Sequence, residues 1–229
     1  MYEKVHVPLQ EGIESLPFRV RPARPDEAQQ VYRLRRDAYA GRSLYLDEFK
    51  QALAEPDTVD GNPCAITFVA VCKATDEVLG TIRLACSLDV PDLLPLETPS
   101  DPCTEGSFSF ADRFAVRRRV PACVTHALLK TVWLWALSRD TRWIVALAGA
   151  PLARHYQRWG GLSVRAGGQS FIVAKDLAEP VFLVAARLAE AQDYLATHNP
   201  KFFDDFISKV HLDINVRGLS YLNAAMNSC

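Results

Sequence analysis

Short runs of apolar residues in the first half of the chain predict β-strands. Phe18–Pro22 alternates apolar and polar positions, whereas residues 65–73 and Val78–Cys86 are almost continuously apolar, as buried strands are. Residues 74–77, which separate the last two runs, are mostly polar and predict a turn. This strand–turn–strand order predicts antiparallel pairing in this part of the chain.

Apolar positions that recur every three to four residues predict the helices. Residues 24–27 (RPDE) place a proline and two acids in a first turn, and residues 28–39 then carry an apolar stripe along one face. Ala122–Ser138 is rich in apolar residues and also predicts a helix. Further helices are predicted at residues 44–54, 151–161, 181–197 and 202–210.

Residues 107–161 predict a unit suited to binding an anion. A strand at 107–116 runs into three arginines, then into the helix Ala122–Ser138 and a second strand at 143–147. A helix N-terminus presents backbone N–H groups and the positive end of its dipole, and arginines add charge and paired donors. Such a turn can hold a pyrophosphate or a phosphopantetheine arm.

Taken in order, with one more strand at 169–174, the elements predict an α/β (α+β) fold. The central sheet is mixed and mostly antiparallel, because early strands follow one another directly, while helices between later strands predict a parallel pair. Helices flank this sheet. The predicted division is a lead-in at 1–17, a domain at 18–176, and a C-terminal helical extension at 177–229 packed on that domain.

Composition narrows the class of protein. Of the 229 residues 49% are hydrophobic, which suffices for a sizeable core, and the formal net charge of −1 argues against a generic nucleic-acid binder. The N-terminus lacks the apolar core of a signal peptide, and no apolar run of about 18 residues predicts a transmembrane helix. The six cysteines form no Cys-x-x-Cys pair, so we expect reduced thiols, a cytoplasmic protein and no metal site.

The strand, basic turn and helix, followed by Tyr156 four residues before Gly160, resemble the GNAT acyltransferase superfamily. In that family this turn holds acyl-CoA, and a Tyr-x-x-x-Gly segment flanks the thioester. Aligning Arg118 with the first residue of the family's Arg/Gln-x-x-Gly-x-Gly/Ala turn puts Pro121 and Cys123 where the glycines usually stand. The resemblance implies an acyl thioester co-substrate and no permanently bound cofactor. The replaced glycines favour acyl carrier protein (ACP) over free CoA as the donor.

Four more motifs occur earlier in the chain. In order they are Leu-Arg-x-x-x-Tyr, Glu-x-Asp-x-x-Asp, Gly-x-x-Arg-Leu and Arg-Phe-x-Val, and they begin at Leu34, Glu55, Gly80 and Arg113. This series resembles the acyl-homoserine-lactone synthases and the long-chain N-acyl amino acid synthases, which share a GNAT-like fold and draw acyl groups from ACP. The glutamate that precedes the last motif in those families is Phe110 here, with Asp112 as a possible substitute, and no tryptophan follows the first helix. The N-acyl amino acid synthase is therefore favoured over the lactone synthase.

The resemblance implies that an amine attacks a thioester in one step. That chemistry needs a group that holds or deprotonates the ammonium, donors for the oxyanion, an acid for the leaving thiolate, and arginines for an acceptor carboxylate. The catalytic candidates are Tyr156, Asp57, Asp60 and Asp112; the acceptor-binding candidates are Arg35, Tyr39, Arg83 and Arg113; the acyl- and pantetheine-binding candidates are Phe114, Ala115, Val116, Arg117, Arg118, Arg119 and Cys123.

Structural alternatives stand beside these roles. The acidic triplet can be a solvated turn, Arg83 can be an ion-pair partner of Asp60 or Asp112, and Tyr156 can be an ordinary helix residue. The three arginines can be solvated, or can dock the acidic ACP. Val124, Ala127 and Leu128, with the predicted helix at 181–197, can line an acyl tunnel or form plain core.

The favoured function is transfer of a long-chain fatty acyl group from ACP to the α-amine of an amino acid. Two alternatives stay open. One is a CoA-dependent N-acetyltransferase of a small amine, or a lactone synthase, and the other is a GNAT-like module that binds acyl groups or a partner without catalysis.

Overall fold

The computed structural model describes residues 15–41, 50–51, 54–62, 65–86, 107–149, 152–154, 156, 163–164 and 181–216. The predicted strand at 169–174, the lead-in before residue 15 and most of the predicted helices at 44–54 and 151–161 lie outside these residues. Within them, no helix is both long enough and apolar enough to cross a membrane.

Seven strands among the described residues form one sheet. They are β1 (Phe18–Pro22), β2 (Ala65–Cys72), β3 (Val78–Cys86), β4 (Phe108–Val116), β5 (Trp143–Gly149), β6 (Ser163–Val164) and β7 (Val181–Arg187). Their spatial order is β1-β2-β3-β4-β5-β7-β6. Of the neighbouring pairs in this described sheet, β4 and β5 are parallel and the other five are antiparallel. The predicted mixed, mostly antiparallel sheet is therefore confirmed.

Helices cover both faces of this sheet. They are α1 (Ala28–Ala40), which a 3₁₀ turn at Pro25–Glu27 precedes, α2 (Ala122–Ser138) and α3 (Leu188–His198), followed by a turn at Pro200–Phe202 and a π-helical segment at Phe203–Ile207. The apolar stripe of α1 packs on Val69 and Val71, whereas α2 packs on Phe68 and Ala70. Because successive strand residues point to opposite faces, α1 and α2 lie on opposite sides of the sheet.

The predicted helix at 181–197 is wrong in its first half. Val181–Arg187 is a strand inserted between β5 and β6, and the helix begins only at Leu188. The run VFLVAAR is almost continuously apolar, a pattern that fits a buried strand as well as a buried helix. Pairing with all seven residues of β5 decides in favour of the strand. The prediction at 202–210 is also modified, because the π-helical segment ends at Ile207.

The chain beyond these helices returns to the first strand. The N–H of Val20 donates to the carbonyl of Asp213 at 2.7 Å, and the N–H of Asn215 donates to the carbonyl of Val20 at 2.8 Å. Ile214 forms a parallel bridge with Val20 and joins the α2-side core. Residues 213–215 thereby cover an edge of the sheet that would otherwise expose unpaired backbone groups.

Candidate active site

The fourth strand contains a β-bulge at its centre. Thr81 of β3 pairs with Ala115 and Arg83 pairs with Asp112, so two residues of β4, Arg113 and Phe114, stand opposite one residue of β3. Arg113 has a φ of 50°, in the left-handed region that non-glycine residues seldom adopt. A bulge removes the affected N–H groups from the regular ladder and turns the strand locally.

The bulge brings two consecutive side chains to one face. In a regular strand Asp112 and Arg113 would point to opposite faces. Here both meet the loop that contains Asp57, because Asp112 and Asp57 share the guanidinium of Arg83, and Arg113 also reaches Asp57. The bulged backbone is anchored further by Tyr39, whose hydroxyl donates to the carbonyl of Phe114 at 3.2 Å.

Arg83 is the centre of an ionic cluster on the α1 side of the sheet. Its Nε and Nη2 donate to the two carboxylate oxygens of Asp112 at 2.8 and 2.5 Å. Its Nη1 donates to Asp57 at 2.5 Å and lies 3.2 Å from a carboxylate oxygen of Asp60. The side chain of Arg83 is only 5% exposed. A buried arginine needs such partners, and the predicted ion pairs with Asp60 and Asp112 are both present.

Two further arginines join this cluster. Arg113 donates to the second oxygen of Asp57 at 2.7 Å and to the backbone carbonyl of Glu55 at 2.6 Å. Arg35 is fully buried, donates to Thr67 at 3.3 Å and has its Nη1 3.7 Å from Asp60. The acidic triplet is therefore more than a solvated turn, since its two aspartates bind arginines from α1, β3 and β4.

Burial and ion pairing shift the pKa of three members of the cluster. Burial alone would raise the pKa of Asp57, but the hydrogen bonds from Arg83 and from the backbone of Asp60 hold that pKa well below its usual range. Burial opposes the charge of Arg83 as well, yet its bond with Asp112 raises its pKa. In Arg35 burial dominates over the attraction of Asp60 and lowers the pKa. Asp57 is consequently a stable anion and a weak base.

Strands β4 and β5 diverge beyond their first residues. Their parallel pairing covers only Phe108–Phe110 against Trp143–Val145, so the bulged half of β4 has no partner on that side among the described strands. A cleft thus opens between the bulge and the C-terminal half of β5. Tyr156 lies on the β5 side, where it is mostly buried against Ala148, Ala153 and Val184.

Tyr156 also borders a small apolar cavity of about 90 Å³ between α2, β5, β7 and α3. Leu129, Val132 and Trp133 of α2 form one of its walls. The tunnel candidates Val124, Ala127 and Leu128 lie elsewhere, fully buried in the core between α2 and the sheet. For these three residues the structure supports the core alternative.

The basic turn joins β4 to α2 and ends at Pro121, the N-cap of the helix. Arg117 pairs with Glu77 at 2.7 Å, and all three arginines are exposed. Arg119 has a φ of 65°, so the turn uses an arginine where a glycine would adopt the same backbone more readily. Cys123 is half-buried and packs against the core.

Two contributors to the site were not among the candidate site residues predicted from the sequence. Thr67 binds Arg35, and Glu55 contributes its backbone carbonyl rather than its carboxylate. No short-range pattern marks Thr67, and the Glu-x-Asp-x-x-Asp motif marks Glu55 by its carboxylate and not by its carbonyl. Both roles depend on which strands become neighbours. Among the described residues, no group of three or more potential ligands could hold a metal ion.

Comparison with known proteins finds no matching family model and no matching curated protein. Many solved structures match the fold. FeeM, an N-acyl amino acid synthase from uncultured soil microbes, has a TM-score of 0.57 at 16% identity, over 76% of this chain and 92% of its own. BjaI, a CoA-dependent acyl-homoserine lactone synthase solved with SAM and isopentyl-CoA, has a TM-score of 0.56 at 16% identity, over 93% of this chain and 100% of its own.

A third match is the spermidine N-acetyltransferase from Vibrio cholerae, solved with CoA and spermine. It has a TM-score of 0.50 at 9% identity, over 76% of this chain and 98% of its own. Identities this low carry information about the fold alone. The three matches, together with the bulge in β4 and the divergence of β4 from β5, show that this chain has the GNAT fold.

Proposed function

We propose that this protein is an N-acyltransferase that moves a fatty acyl group from the phosphopantetheine thioester of ACP to the α-amine of an amino acid. The observation that carries the proposal is the cleft between β4 and β5, whose β4 wall is the bulged half of that strand, unpaired on this side among the described strands. An extended pantetheine arm can add to the unpaired side of β4 as a strand would. The likeness in fold to FeeM supports this choice among acyltransferases.

The basic turn supports ACP as the donor. Arg118 and Arg119 are exposed in the turn that follows β4, and neither has an ion pair among the described residues, whereas Arg117 pairs with Glu77. ACP is acidic, so exposed arginines attract it and speed association. Pro121 removes one N–H from the helix N-terminus that an ordinary CoA pyrophosphate would use.

The reaction forms a C–N bond and breaks a C–S bond. The neutral amine attacks the thioester carbonyl, the tetrahedral oxyanion accepts hydrogen bonds from backbone N–H groups of the bulge at Phe114–Val116, and the thiolate leaves. Tyr39 serves as a positioning residue, because its bond to the Phe114 carbonyl holds the bulged backbone in place. The amine gives up one proton and the thiolate takes one, so the balance closes.

Proton transfer needs an acid for the thiolate and a group that holds the ammonium. Tyr156 is our candidate for the acid that protonates the thiolate, because a phenol can donate from an apolar wall. Asp57 has too low a pKa to remove the amine proton efficiently, so we assign it, with Asp60, to holding the arginines in place. Asp112, partly exposed beside the bulge, is the candidate that receives the ammonium.

The first experiment supplies purified protein with acyl-ACP or acyl-CoA and a mixture of amino acids, and detects N-acyl products by mass spectrometry. We expect N-acyl amino acids from acyl-ACP. Tyr156→Phe keeps the ring packed and should lower kcat at least about tenfold with little change in KM. If Tyr156→Phe turns over at the wild-type rate, Tyr156 is not the acid. If the wild-type protein forms no product from any acyl thioester, the proposed function is wrong.

A CoA-dependent acyltransferase is the second candidate, because BjaI matches 93% of this chain, more than FeeM does. Activity with acyl-CoA that equals or exceeds activity with acyl-ACP would favour it. Product formation from S-adenosylmethionine in place of an amino acid would favour a lactone synthase.

A further inference from the structure

A cavity of about 500 Å³ lies between α1 and the end of the bulged strand. Its walls include Val116, which is the last residue of β4, Arg117 and Arg118 of the basic turn, and Arg33 of α1. Val116 stands two residues beyond Phe114 of the bulge, and a strand rises about 3.3 Å per residue. The basic turn and α1 therefore meet beside the end of the strand that carries the bulge.

Arg118 connects the basic turn to α1. A Cβ at Gly41, the residue after α1, would lie 2.8 Å from Nη2 of Arg118, so the guanidinium lies against the C-terminal end of the helix. A cation is favourable there, because the helix dipole is negative at its C-terminus. The exposed side of α1 and the basic turn thus form one continuous surface. This basic surface contains Arg33, Arg117, Arg118 and Arg119, together with Asp37 and Glu77.

Positive charge prevails on the basic surface. The ion pair between Arg117 and Glu77, at 2.7 Å, neutralises one of its four arginines. The other three are exposed and form no ion pair with any described residue, and among the described residues Asp37 is the one further acid that lines the cavity. The chain as a whole has a net charge of −1, so this excess is local. A local excess of positive charge favours an acidic partner.

From this geometry we infer that the basic surface docks ACP, with Arg33 of α1 as a contact beside the basic turn. An acidic protein seated here places its pantetheine arm at the end of β4, and the arm can run back along the unpaired side of that strand to the bulge. Bonds between arginines and carboxylates add orientation to the attraction. The inference rests on the proposed function for the identity of the donor. It assigns a donor contact to α1, the helix that the sequence motifs connected with the acceptor.

The kinetic test compares acyl-ACP with acyl-phosphopantetheine, which carries the same thioester without the protein, in wild type, Arg33→Glu and Arg33→Lys. Arg33→Glu should lower kcat/KM for acyl-ACP about tenfold relative to kcat/KM for acyl-phosphopantetheine, because repulsion replaces attraction at the docking surface. Arg33→Lys keeps the charge and should stay closer to wild type. Arg19→Glu is the matched control, because Arg19 is an exposed arginine on β1, which β2 and β3 separate from β4. An equal ratio in Arg33→Glu and Arg19→Glu would overturn the inference.

A binding measurement separates this inference from the proposed function. Isotope-labelled ACP without its phosphopantetheine group is titrated with the same four proteins and followed by NMR, which needs no turnover. We expect wild type to bind, more weakly as salt is added, and Arg33→Glu to bind less tightly than Arg19→Glu. This result supports the docking surface even if no acyl transfer is found.

Two outcomes of the binding measurement would contradict the docking surface. One is no binding of ACP to wild type, and the other is equal binding of ACP to all four proteins. Binding of wild type to vesicles of anionic phospholipid instead of ACP would assign the basic surface to a membrane and would likewise overturn the inference. In each case acyl transfer is still judged by product formation.

Discussion

Arg83 shows how one residue in the interior of a strand can hold a loop in place. Its guanidinium faces Asp112 on the next strand and reaches Asp57 and Asp60 on the loop before β2. A planar group with five donors suits three carboxylates in different directions, which a lysine ammonium would match poorly. Charge-assisted hydrogen bonds therefore hold the loop beside the bulge.

Replacing Arg83 should destabilise the protein. Arg83→Met removes the central cation and leaves three carboxylates facing one another, so we expect a loss of about 2–4 kcal/mol in the free energy of unfolding, less than for a fully buried pair because Asp57 is 34% exposed. Arg83→Lys should recover part of that loss. Urea unfolding followed by circular dichroism measures both.

The matched control for this prediction is Arg19→Met, which removes an exposed arginine from β1. A surface substitution of this kind should change stability by less than about 0.5 kcal/mol. If Arg83→Met and Arg19→Met cost the same, the cluster is not a source of stability.

The contact between β3 and α2 depends on Gly80. A Cβ at this position would lie 2.8 Å from Cδ1 of Leu128 and 3.3 Å from Cγ1 of Val124, both of which are fully buried. The helix thus approaches the strand more closely than any side chain at residue 80 would allow. The Gly-x-x-Arg-Leu motif therefore combines a packing residue on the α2 face with Arg83 on the α1 face.

Gly80→Ala should cost about 1–3 kcal/mol through overpacking. Shortening the facing side chain in the double variant Gly80→Ala/Leu128→Val should recover part of this cost, and a double-mutant cycle of unfolding free energies measures the coupling. Gly61→Ala is the control, because its Cβ would meet only the carbonyl of Thr58 at an ordinary 3.6 Å. Additive effects of the two core substitutions would contradict the proposed contact.

Across the whole molecule, ionic contacts tie the C-terminal segment to distant parts of the chain. Asp213 binds Lys73 at 2.8 Å and the N–H of Leu16 at 2.9 Å. Burial opposes its charge, but these bonds lower the pKa of Asp213. The hydrogen bond from Arg21 likewise lowers the pKa of Glu27. With Asp57, three carboxylates in separate regions are therefore more acidic in the folded protein than in the unfolded chain.

This arrangement predicts acid-labile stability. A carboxylate whose pKa is lower in the folded state contributes stability that is fully present above its unfolded pKa, about 4, and that is lost as the pH falls toward the folded value. The free energy of unfolding should change little between about pH 8 and 6 and should fall below about pH 4.5. Asp213→Asn should flatten this decline, whereas Asn215→Ala, a nearby substitution without a titrating group, should not. An unchanged pH slope in Asp213→Asn would contradict the assignment.

Most element bounds could be predicted because they depend on local patterns. Phe18–Pro22, Val78–Cys86 and Ala122–Ser138 have the predicted limits, since polar turns and a proline mark their ends. The strand Val181–Arg187 could not be told from a helix, because an apolar run gains its strand form only from the neighbour that pairs with it.

Local patterns in the chain were enough to specify the order of the elements from β1 to β5, the mixed sheet, and the residue types from which the site is built, because periodicity and turn residues act over a few positions. That Asp112 and Arg113 face the same way became visible only in the folded molecule, since a bulge is defined by its partner strand. The same holds for the meeting of Arg35, Arg83 and Arg113 with three aspartates. Ion pairing depends on distances between segments far apart in the chain, which no local pattern contains.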